Sequence, residues 1–200
     1  MAGTIEEHFS QWVRGKDPLG ARVSIYERIR DMPYAVIPEL NDSQRYVDIL
    51  EVKRGSCMPK HLLMCTMFQM LGMTVLFAVY PFRWDELDID YPPSLRRLAK
   101  AMPPSHHLAC KVEIEGRLVL VDATLDPALR SLGLPVNEKW DGRSDTLLPI
   151  RPFDGEEIYH PSEAWGVQSQ HDEAALAFYR EMNLWLDKLR EASVRSHGQS

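Results

Sequence analysis

The chain has 200 residues, a formal net charge of −6, 26% charged residues and 44% hydrophobic residues. This length favours one domain with a sizeable core. The sequence contains no prominent run of Lys and Arg, so we do not expect binding to nucleic acid or to an anionic membrane surface. The three cysteines are an odd number and do not suggest a disulfide framework, so we expect a reducing compartment and a cytoplasmic location.

The N-terminal segment "MAGTIEEHFSQW" lacks the basic start and apolar run of a secretory signal peptide. A short amphipathic helix is predicted over residues 5–14, and Pro18 and Gly20 are predicted to break it. A second helix is predicted over residues 21–32 because apolar residues recur there at helical spacing.

Residues 33–40 are predicted to form a loop or a short extended piece. Residues 41–55 begin with Asn, Asp and Ser, which favour helix N-caps, and they predict another short helix that Gly55 closes.

Residues 62–82 carry no charge and are long enough to span a bilayer, so a transmembrane helix is one reading of them. Their composition changes midway, from Leu and Met to β-branched and aromatic residues. We therefore favour a helix over residues 58–71, a stop at Gly72 and a buried strand over residues 74–80. Four residues at helical spacing are predicted to face the core: Leu63, Met67, Met70 and Leu71.

Residues 81–107 form a long connection with several prolines and a predicted helix near residues 94–101. A connection of this length inside a domain is often functional, for example as a lid. Its acidic residues lack EF-hand spacing and predict a solvated loop rather than a metal site. Trp84 and Tyr91 are equally consistent with a substrate groove and with core packing.

The clearest local signal is "HLACKVEIEGRLVLVDAT", in which two alternating runs flank Glu115-Gly116 and predict a β-hairpin. A two-residue turn pairs position 114 with 117, 112 with 119 and 110 with 121. Leu108, Cys110, Val112, Ile114, Val119 and Val121 then share one apolar face.

The same register decides between two adjacent histidines. Asp122 is placed diagonally beside His107, within reach of its side chain, whereas His106 points to the opposite face. A histidine oriented by a carboxylate has the arrangement of a general base.

Further along, a strand is predicted at residues 146–150 and a final helix at residues 172–190. We expect one domain over residues 1–192, with its core in residues 54–125, and a disordered tail over residues 193–200.

Cys57 is placed where the predicted central helix begins. The helix dipole and the unpaired amides of the first turn favour a thiolate there, and Arg54 and Lys60 add positive potential. Cys57, His107 and Asp122 are therefore the candidate nucleophile, base and orienting group.

Each of these assignments has a structural alternative. Cys57 alone is consistent with a buried inert thiol, and Asp122 with a residue that caps the following turn. His61, four residues after Cys57, is the rival base. Cys65 and Cys110 are predicted to be core residues, and a zinc site is disfavoured because no CxxC pair occurs.

These residues resemble the transglutaminase-like superfamily, within the papain-like cysteine-enzyme fold. In that family a Gly-x-Cys opens a helix that runs to a Gly before a strand, as Gly55, Cys57 and Gly72 do here. A His on one strand of a hairpin, a Gly at its turn and a "VDPT"-like ending follow. His107, Gly116 and "VDAT" of residues 121–124 match them, and the resemblance covers roughly residues 54–125.

The resemblance implies an α+β fold, with the nucleophile helix packed on an antiparallel sheet, and a Cys-His-Asp triad without a cofactor. Three positions depart from the family pattern and concern the substrate groove: Ala109, Lys111 and Leu118. The backbone amide of Cys57 is expected to donate one oxyanion hydrogen bond, and Gln44 is a candidate for the second.

The implied activity is acyl transfer on a peptide or protein amide, by hydrolysis or transamidation, through a thioester. The alternatives are an inactive binding module of the same fold and, from the uncharged stretch, a membrane protein. The sequence does not predict the oligomeric state.

Overall fold

The computed structural model describes residues 4–161 and 172–197, and these form the mixed α+β fold that the sequence predicts. The helices are α1 (Ile5–Val13), α2 (Pro18–Arg30), α3 (Ile49–Val52), α4 (Cys57–Met70), α5 (Pro93–Ala101) and α6 (Glu173–His197). The strands are β1 (Val75–Phe82), β2 (Ser105–Ile114), β3 (Arg117–Val121) and β4 (Glu157–Tyr159).

The second helix begins earlier than predicted. Asp17 is its N-cap and accepts a hydrogen bond from the backbone N–H of Gly20 (2.7 Å), and Pro18 is its first residue. Proline suits the first position of a helix because its missing N–H would have no partner there. The prediction that Pro18 and Gly20 break the first helix is therefore wrong: α1 ends at Val13, Gly15 has a left-handed φ of 70°, and Pro18 and Gly20 lie inside the first turn of α2.

The segment before α4 is mostly irregular. The short helix α3 ends at Lys53, whose φ of 56° is left-handed, and not at Gly55 as predicted. Gly55 instead pairs with the backbone of Tyr34, and a Cβ on it would lie 2.7 Å from the Ile49 side chain. Glycine is required here because α3 packs directly against the backbone that leads to Cys57.

The uncharged stretch is a helix, a stop and a strand, as predicted. α4 ends at Met70, Gly72 adopts a φ of 76°, and β1 follows. Nine of the fourteen residues of α4 are buried, which explains why this helix is apolar on nearly every side. Within the part of the chain described, no helix has the length and apolar character needed to cross a bilayer.

The four strands form one antiparallel sheet in the order β3-β2-β1-β4. The hairpin of β2 and β3 has the predicted register, with Ile114 opposite Arg117 and Cys110 opposite Val121. Glu115 and Gly116 have φ angles of 53° and 79°, as a type I′ turn requires. The predicted apolar face is buried throughout.

Two C-terminal predictions need correction. Residues 146–150 do not form a strand; Thr146 makes one backbone hydrogen bond to Leu120 (2.9 Å) beside β3. The fourth strand is β4, which pairs with β1 on the other side of the sheet. α6 extends to His197, past the predicted end and into the segment expected to be disordered.

The sheet and helices enclose two main hydrophobic clusters. The larger lies between α1, α2, α4 and one face of the sheet. The second is built by α5, α6 and the segments beside them. Inside the larger cluster a disulfide joins Cys65 of α4 to Cys110 of β2, with their Cα atoms 6.4 Å apart. Both residues are buried, as predicted, but the expectation that the cysteines form no disulfide is wrong for this pair.

Candidate active site

Cys57 is the first residue of α4 and lies where the two hydrophobic clusters meet. It is the free cysteine of the three, all of which the structure describes, and its side chain is partly exposed. No side chain caps the helix: the Ser56 hydroxyl donates instead to the Asn41 side-chain oxygen (2.7 Å). The backbone N–H groups of the first turn therefore have no side-chain cap and are available to stabilise negative charge near the Cys57 sulfur.

His107 and Asp122 form the contact that the hairpin register predicts. Nε2 of His107 donates to Oδ2 of Asp122 over 2.6 Å, and both side chains are almost completely buried. His106, the neighbouring residue, is exposed and makes no such contact. The predicted hairpin register is therefore confirmed at this point: His107, and not His106, contacts Asp122.

Asp122 holds its position through both carboxylate oxygens. Oδ1 accepts from the backbone N–H of Thr124 (2.9 Å), while Oδ2 accepts from His107. Its own backbone N–H donates to the Thr146 hydroxyl (2.7 Å). Asp122 therefore has both of the predicted roles: Oδ1 caps the following turn, and Oδ2 binds and orients His107.

The other ring nitrogen of His107 is left for Cys57. The Cys57 side chain lies beside this imidazole and acts on it electrostatically, and because Nε2 is bonded to Asp122, Nδ1 is the ring nitrogen left to interact with the sulfur. Burial alone lowers the pKa of His107, but the Asp122 carboxylate and the Cys57 sulfur outweigh it and raise that pKa to about 10. The imidazole is therefore held as an imidazolium between two acidic groups.

His61 occupies the other side of Asp122 but has a different state. Burial lowers the pKa of His61 to about 4, against the pull of Asp122, whose Oδ2 lies 4.0 Å from its Nε2. That Nε2 accepts a hydrogen bond from the backbone N–H of Ala123 (2.9 Å). His61 is thus neutral and already engaged. It holds the backbone after Asp122 and is unsuited to be the base for Cys57.

A buried lysine supports the same backbone. The Nζ of Lys60 donates to the carbonyl oxygens of Arg30 (3.2 Å), Ala123 (3.3 Å) and Thr124 (2.8 Å), and the side chain has no exposed surface. Burial lowers the pKa of Lys60 to about 7, although Asp126 and Asp122 oppose the shift. The sequence predicts that Lys60 adds positive potential near Cys57, but it does not predict that the ammonium is buried against three backbone carbonyls.

The candidate for the second oxyanion donor also changes. Gln44 is exposed and does not line the cavity beside Cys57, whereas Asn41 does. The Ser56 hydroxyl binds the oxygen of the Asn41 amide and so fixes which end of that amide carries the N–H donors. Asn41 and Gln44 both carry a side-chain amide and both precede Cys57 in the sequence. Their distances along the chain from Cys57 are similar and did not show which of them lies beside the sulfur.

A cavity of about 140 Å³ opens beside Cys57 and His107. Asn41, Ser56 and Thr124 also line it, and Thr124 has a buried hydroxyl without a hydrogen-bond partner in the described structure. Trp84 lines it as well, while Tyr91 does not and packs on Trp185 with their ring centroids 5.6 Å apart. Of the two interpretations, lining a groove applies to Trp84 and core packing applies to Tyr91.

Two of the three predicted site residues, Cys57 and His107, line one end of this cavity, and Asp122 bonds His107 from outside the lining. Their catalytic roles stay predictions. The supporting roles of Lys60 and His61 were not predicted, because nothing local in the sequence shows that a polar side chain at the start of a helix will be buried.

Comparison with family models and with curated proteins gave no match for this chain.

Proposed function

We propose that the protein is a cysteine-dependent acyl-transfer enzyme with a transglutaminase-like fold and that Cys57, His107 and Asp122 form its triad. The observation that carries the proposal is the position of His107. One ring nitrogen bonds a buried carboxylate 2.6 Å away, and the imidazole lines the same cavity as a free cysteine at a helix N-terminus. Nucleophile, base and orienting group in this order are the general pattern of activated nucleophiles.

In the acylation step, the Cys57 thiolate attacks the carbonyl carbon of an amide and a C–S bond forms. The imidazolium of His107 donates its proton to the leaving nitrogen, the C–N bond breaks, and an amine departs. A thioester on Cys57 remains. Asp122 keeps Nε2 protonated, so Nδ1 is the nitrogen that exchanges the proton with the reacting atoms.

In the second step, water or an amine attacks the thioester, and His107 takes the proton of the attacking group. The C–S bond breaks, and the thiolate re-forms beside the imidazolium. The product is a carboxylic acid if water attacks and a new amide if an amine attacks. The residues of the triad are the same in both cases, so incorporation of a labelled amine is the measurement that separates a transferase from a hydrolase.

The tetrahedral intermediate of both steps carries a negative oxygen that needs donors. We assign the backbone N–H of Cys57 and the side-chain amide of Asn41 to this role. Both lie at the uncapped start of α4, where the helix dipole favours negative charge.

The first test is the pH dependence of Cys57 alkylation by iodoacetamide under non-reducing conditions. Between pH 6 and 7 we expect wild-type Cys57 to react about 10- to 100-fold faster than the same residue in the unfolded chain, because the imidazolium of His107 and the start of α4 stabilise negative charge on the attacking sulfur. His107→Ala should remove that excess.

His106→Ala is the matched control, because it removes a neighbouring imidazole that also lines the cavity but does not contact Asp122. It should leave the rate within about twofold of wild type. If Cys57 in the folded wild type reacts no faster than in the unfolded chain, the catalytic proposal fails. The alternative, an inactive binding module of the same fold, then replaces it.

A further inference from the structure

The cavity beside Cys57 has one polar end, and its other walls are mostly apolar, with Ser105 and His106 as polar exceptions. The polar end consists of Asn41, Ser56, Cys57, His107 and Thr124. Most of the other walls come from the second hydrophobic cluster, and α6 supplies four of the lining residues: Tyr179, Met182, Trp185 and Leu186. A group attached to a carbonyl held at Cys57 would therefore extend onto an apolar surface.

No Asp, Glu, Lys or Arg is present among the described residues that line this cavity. A charged substituent placed on the apolar walls, away from the imidazolium of His107, would lose its hydration shell and gain no ion pair in return, which is strongly unfavourable. The lining therefore selects against charged groups. The chain as a whole is 26% charged, so an uncharged wall of this extent is a local feature of the site.

The size of the cavity limits what it can hold. Its volume is about 140 Å³. An engineered apolar cavity of about 150 Å³ in another protein binds benzene. The cavity beside Cys57 thus has room for one six-membered ring or a branched alkyl group of similar volume.

The aromatic wall is fixed before any ligand binds. The Trp84 ring packs edge-on against Phe82 and Phe178, with centroid distances of 4.9 and 5.1 Å, and its Nε1–H donates to the Ser105 hydroxyl (2.9 Å). Aromatic walls held in this way favour another ring by edge or offset contacts. A preformed wall also avoids the entropy cost of ordering side chains on binding.

We propose that the acyl group accepted by Cys57 carries an uncharged, apolar substituent about the size of a benzene ring, and that this cavity binds it. The inference rests on the proposed function, because it places the carbonyl of the substrate at Cys57. It specifies the side of the scissile bond that the enzyme recognises, and it excludes acidic and basic groups at that position.

Aldehydes test the inference because they place an acyl-like carbon on the sulfur without a leaving group. The thiol adds to the aldehyde carbon, its proton goes to the oxygen, and a reversible hemithioacetal forms. We would measure how acetaldehyde, phenylacetaldehyde and 4-carboxyphenylacetaldehyde protect Cys57 from iodoacetamide. Glutathione measured in parallel corrects for the intrinsic affinity of each aldehyde for a thiol.

After that correction, phenylacetaldehyde should protect Cys57 at concentrations about 10- to 100-fold lower than acetaldehyde, the gain expected from burying one ring. The carboxylate analogue should lose this gain. Equal protection by all three aldehydes would overturn the inference, while fast, His107-dependent alkylation would leave the proposed function standing. If Cys57 shows neither selectivity nor fast alkylation, both fail.

Two tryptophan variants locate the binding of the ring. Ile150 is half-buried in a loop and lines the cavity, so Ile150→Trp should fill it and remove the preference for phenylacetaldehyde. Leu147 lies in the same loop, is 62% exposed and does not line the cavity, so Leu147→Trp is the matched control and should keep the preference. Protection is expressed relative to each variant's own rate with iodoacetamide, and Leu147→Trp should keep the wild-type rate. Loss of the preference in both variants, or in neither, would place the ring elsewhere and contradict the proposal.

Discussion

Asp122 lies between two histidines whose environments give them opposite charge states. His107 donates to its carboxylate and faces Cys57, so it is held protonated. His61 accepts from the Ala123 amide with the nitrogen nearest Asp122, so protonation would break that hydrogen bond inside the core. The Asp122 carboxylate thus lies beside both a candidate catalytic base, His107, and a positioning residue, His61. The backbone N–H of Ala123, which donates to His61, is what separates the two roles.

The neutral state of His61 predicts how stability depends on pH. The folded pKa of His61 is about 4, below its ordinary value of 6.5, so between these values the unfolded chain binds a proton that the folded chain does not. Stability from this group is complete above pH 6.5 and is lost as the pH falls toward 4. We expect the free energy of unfolding to fall by about 2 to 3 kcal/mol across that window.

Urea unfolding at pH 7 and pH 5 measures this effect. His61→Gln keeps a polar side chain but removes the titration, so its stability should differ less between the two pH values than that of wild type. His8 lies on the surface-facing first helix and makes a local contact to the Thr4 carbonyl. His8→Gln should keep the wild-type pH dependence, and a flat wild-type profile would contradict the prediction.

At the scale of elements, the central pair is α4 and β2. α4 carries Cys57 and β2 carries His107, and the Cys65–Cys110 disulfide joins the two elements inside the core. The catalytic candidates lie at the start of each element. The spacing of sulfur and imidazole therefore depends on how α4 packs on the sheet, and the disulfide is the covalent part of that packing.

Removing the disulfide should destabilise the fold. The two cysteines are separated by 45 residues, and closing a loop of that length corresponds to about 4 kcal/mol in the chain-entropy treatment. We expect the Cys65→Ala, Cys110→Ala double variant to lose about 2 to 5 kcal/mol in urea unfolding at neutral pH.

Treating wild type with a reductant should lower its stability in the same direction, and the double variant should not respond to the reductant. Alkylation in urea under non-reducing conditions followed by mass spectrometry reports the pairing directly, because unfolding exposes all three cysteines: Cys57 alone should be labelled. Labelling of Cys65 or Cys110 without reductant would show that the pair is not bonded.

At the scale of the whole molecule, α6 closes the site although it is remote from it in sequence. Arg190 binds both oxygens of the buried Asp126, through Nη2 at 2.6 Å and Nε at 3.2 Å, and donates to the Tyr34 carbonyl at 2.9 Å. The Asn183 side chain exchanges two hydrogen bonds of 2.8 Å with the backbone of Val36. These contacts hold the helix that forms one wall of the cavity.

Arg190→Ala should therefore affect both stability and the site. It leaves the Asp126 carboxylate buried without its cation, with the hydrogen bond from the Tyr34 amide retained, and the expected loss is about 3 to 5 kcal/mol in the free energy of unfolding. It should also weaken the protection of Cys57 by phenylacetaldehyde, because the wall from α6 is no longer held. Lys188→Ala is the control on an exposed position of the same helix. Equal stability of the two variants would show that the ion pair does not anchor α6.

Local pattern was sufficient for some features of this protein. The two-residue turn at Glu115-Gly116 and the alternation around it determine the register of the hairpin, and the register determines that His107 meets Asp122. The boundary between α4 and β1 follows from a change in residue type and a glycine. These features could be predicted because the interactions that decide them lie within a few residues along the chain.

Other features depend on contacts between distant segments, and only the tertiary structure decides them. Lys60 and His61 are buried because the backbone at Ala123 and Thr124 folds over them and supplies hydrogen-bond partners. The pairing of Cys65 with Cys110 depends on the position of α4 on the sheet. The cavity wall depends on where α6 docks. Burial depends on the packing of the whole fold and has no local signature in the sequence. The polar character of Lys60 and His61 therefore did not indicate that they are buried.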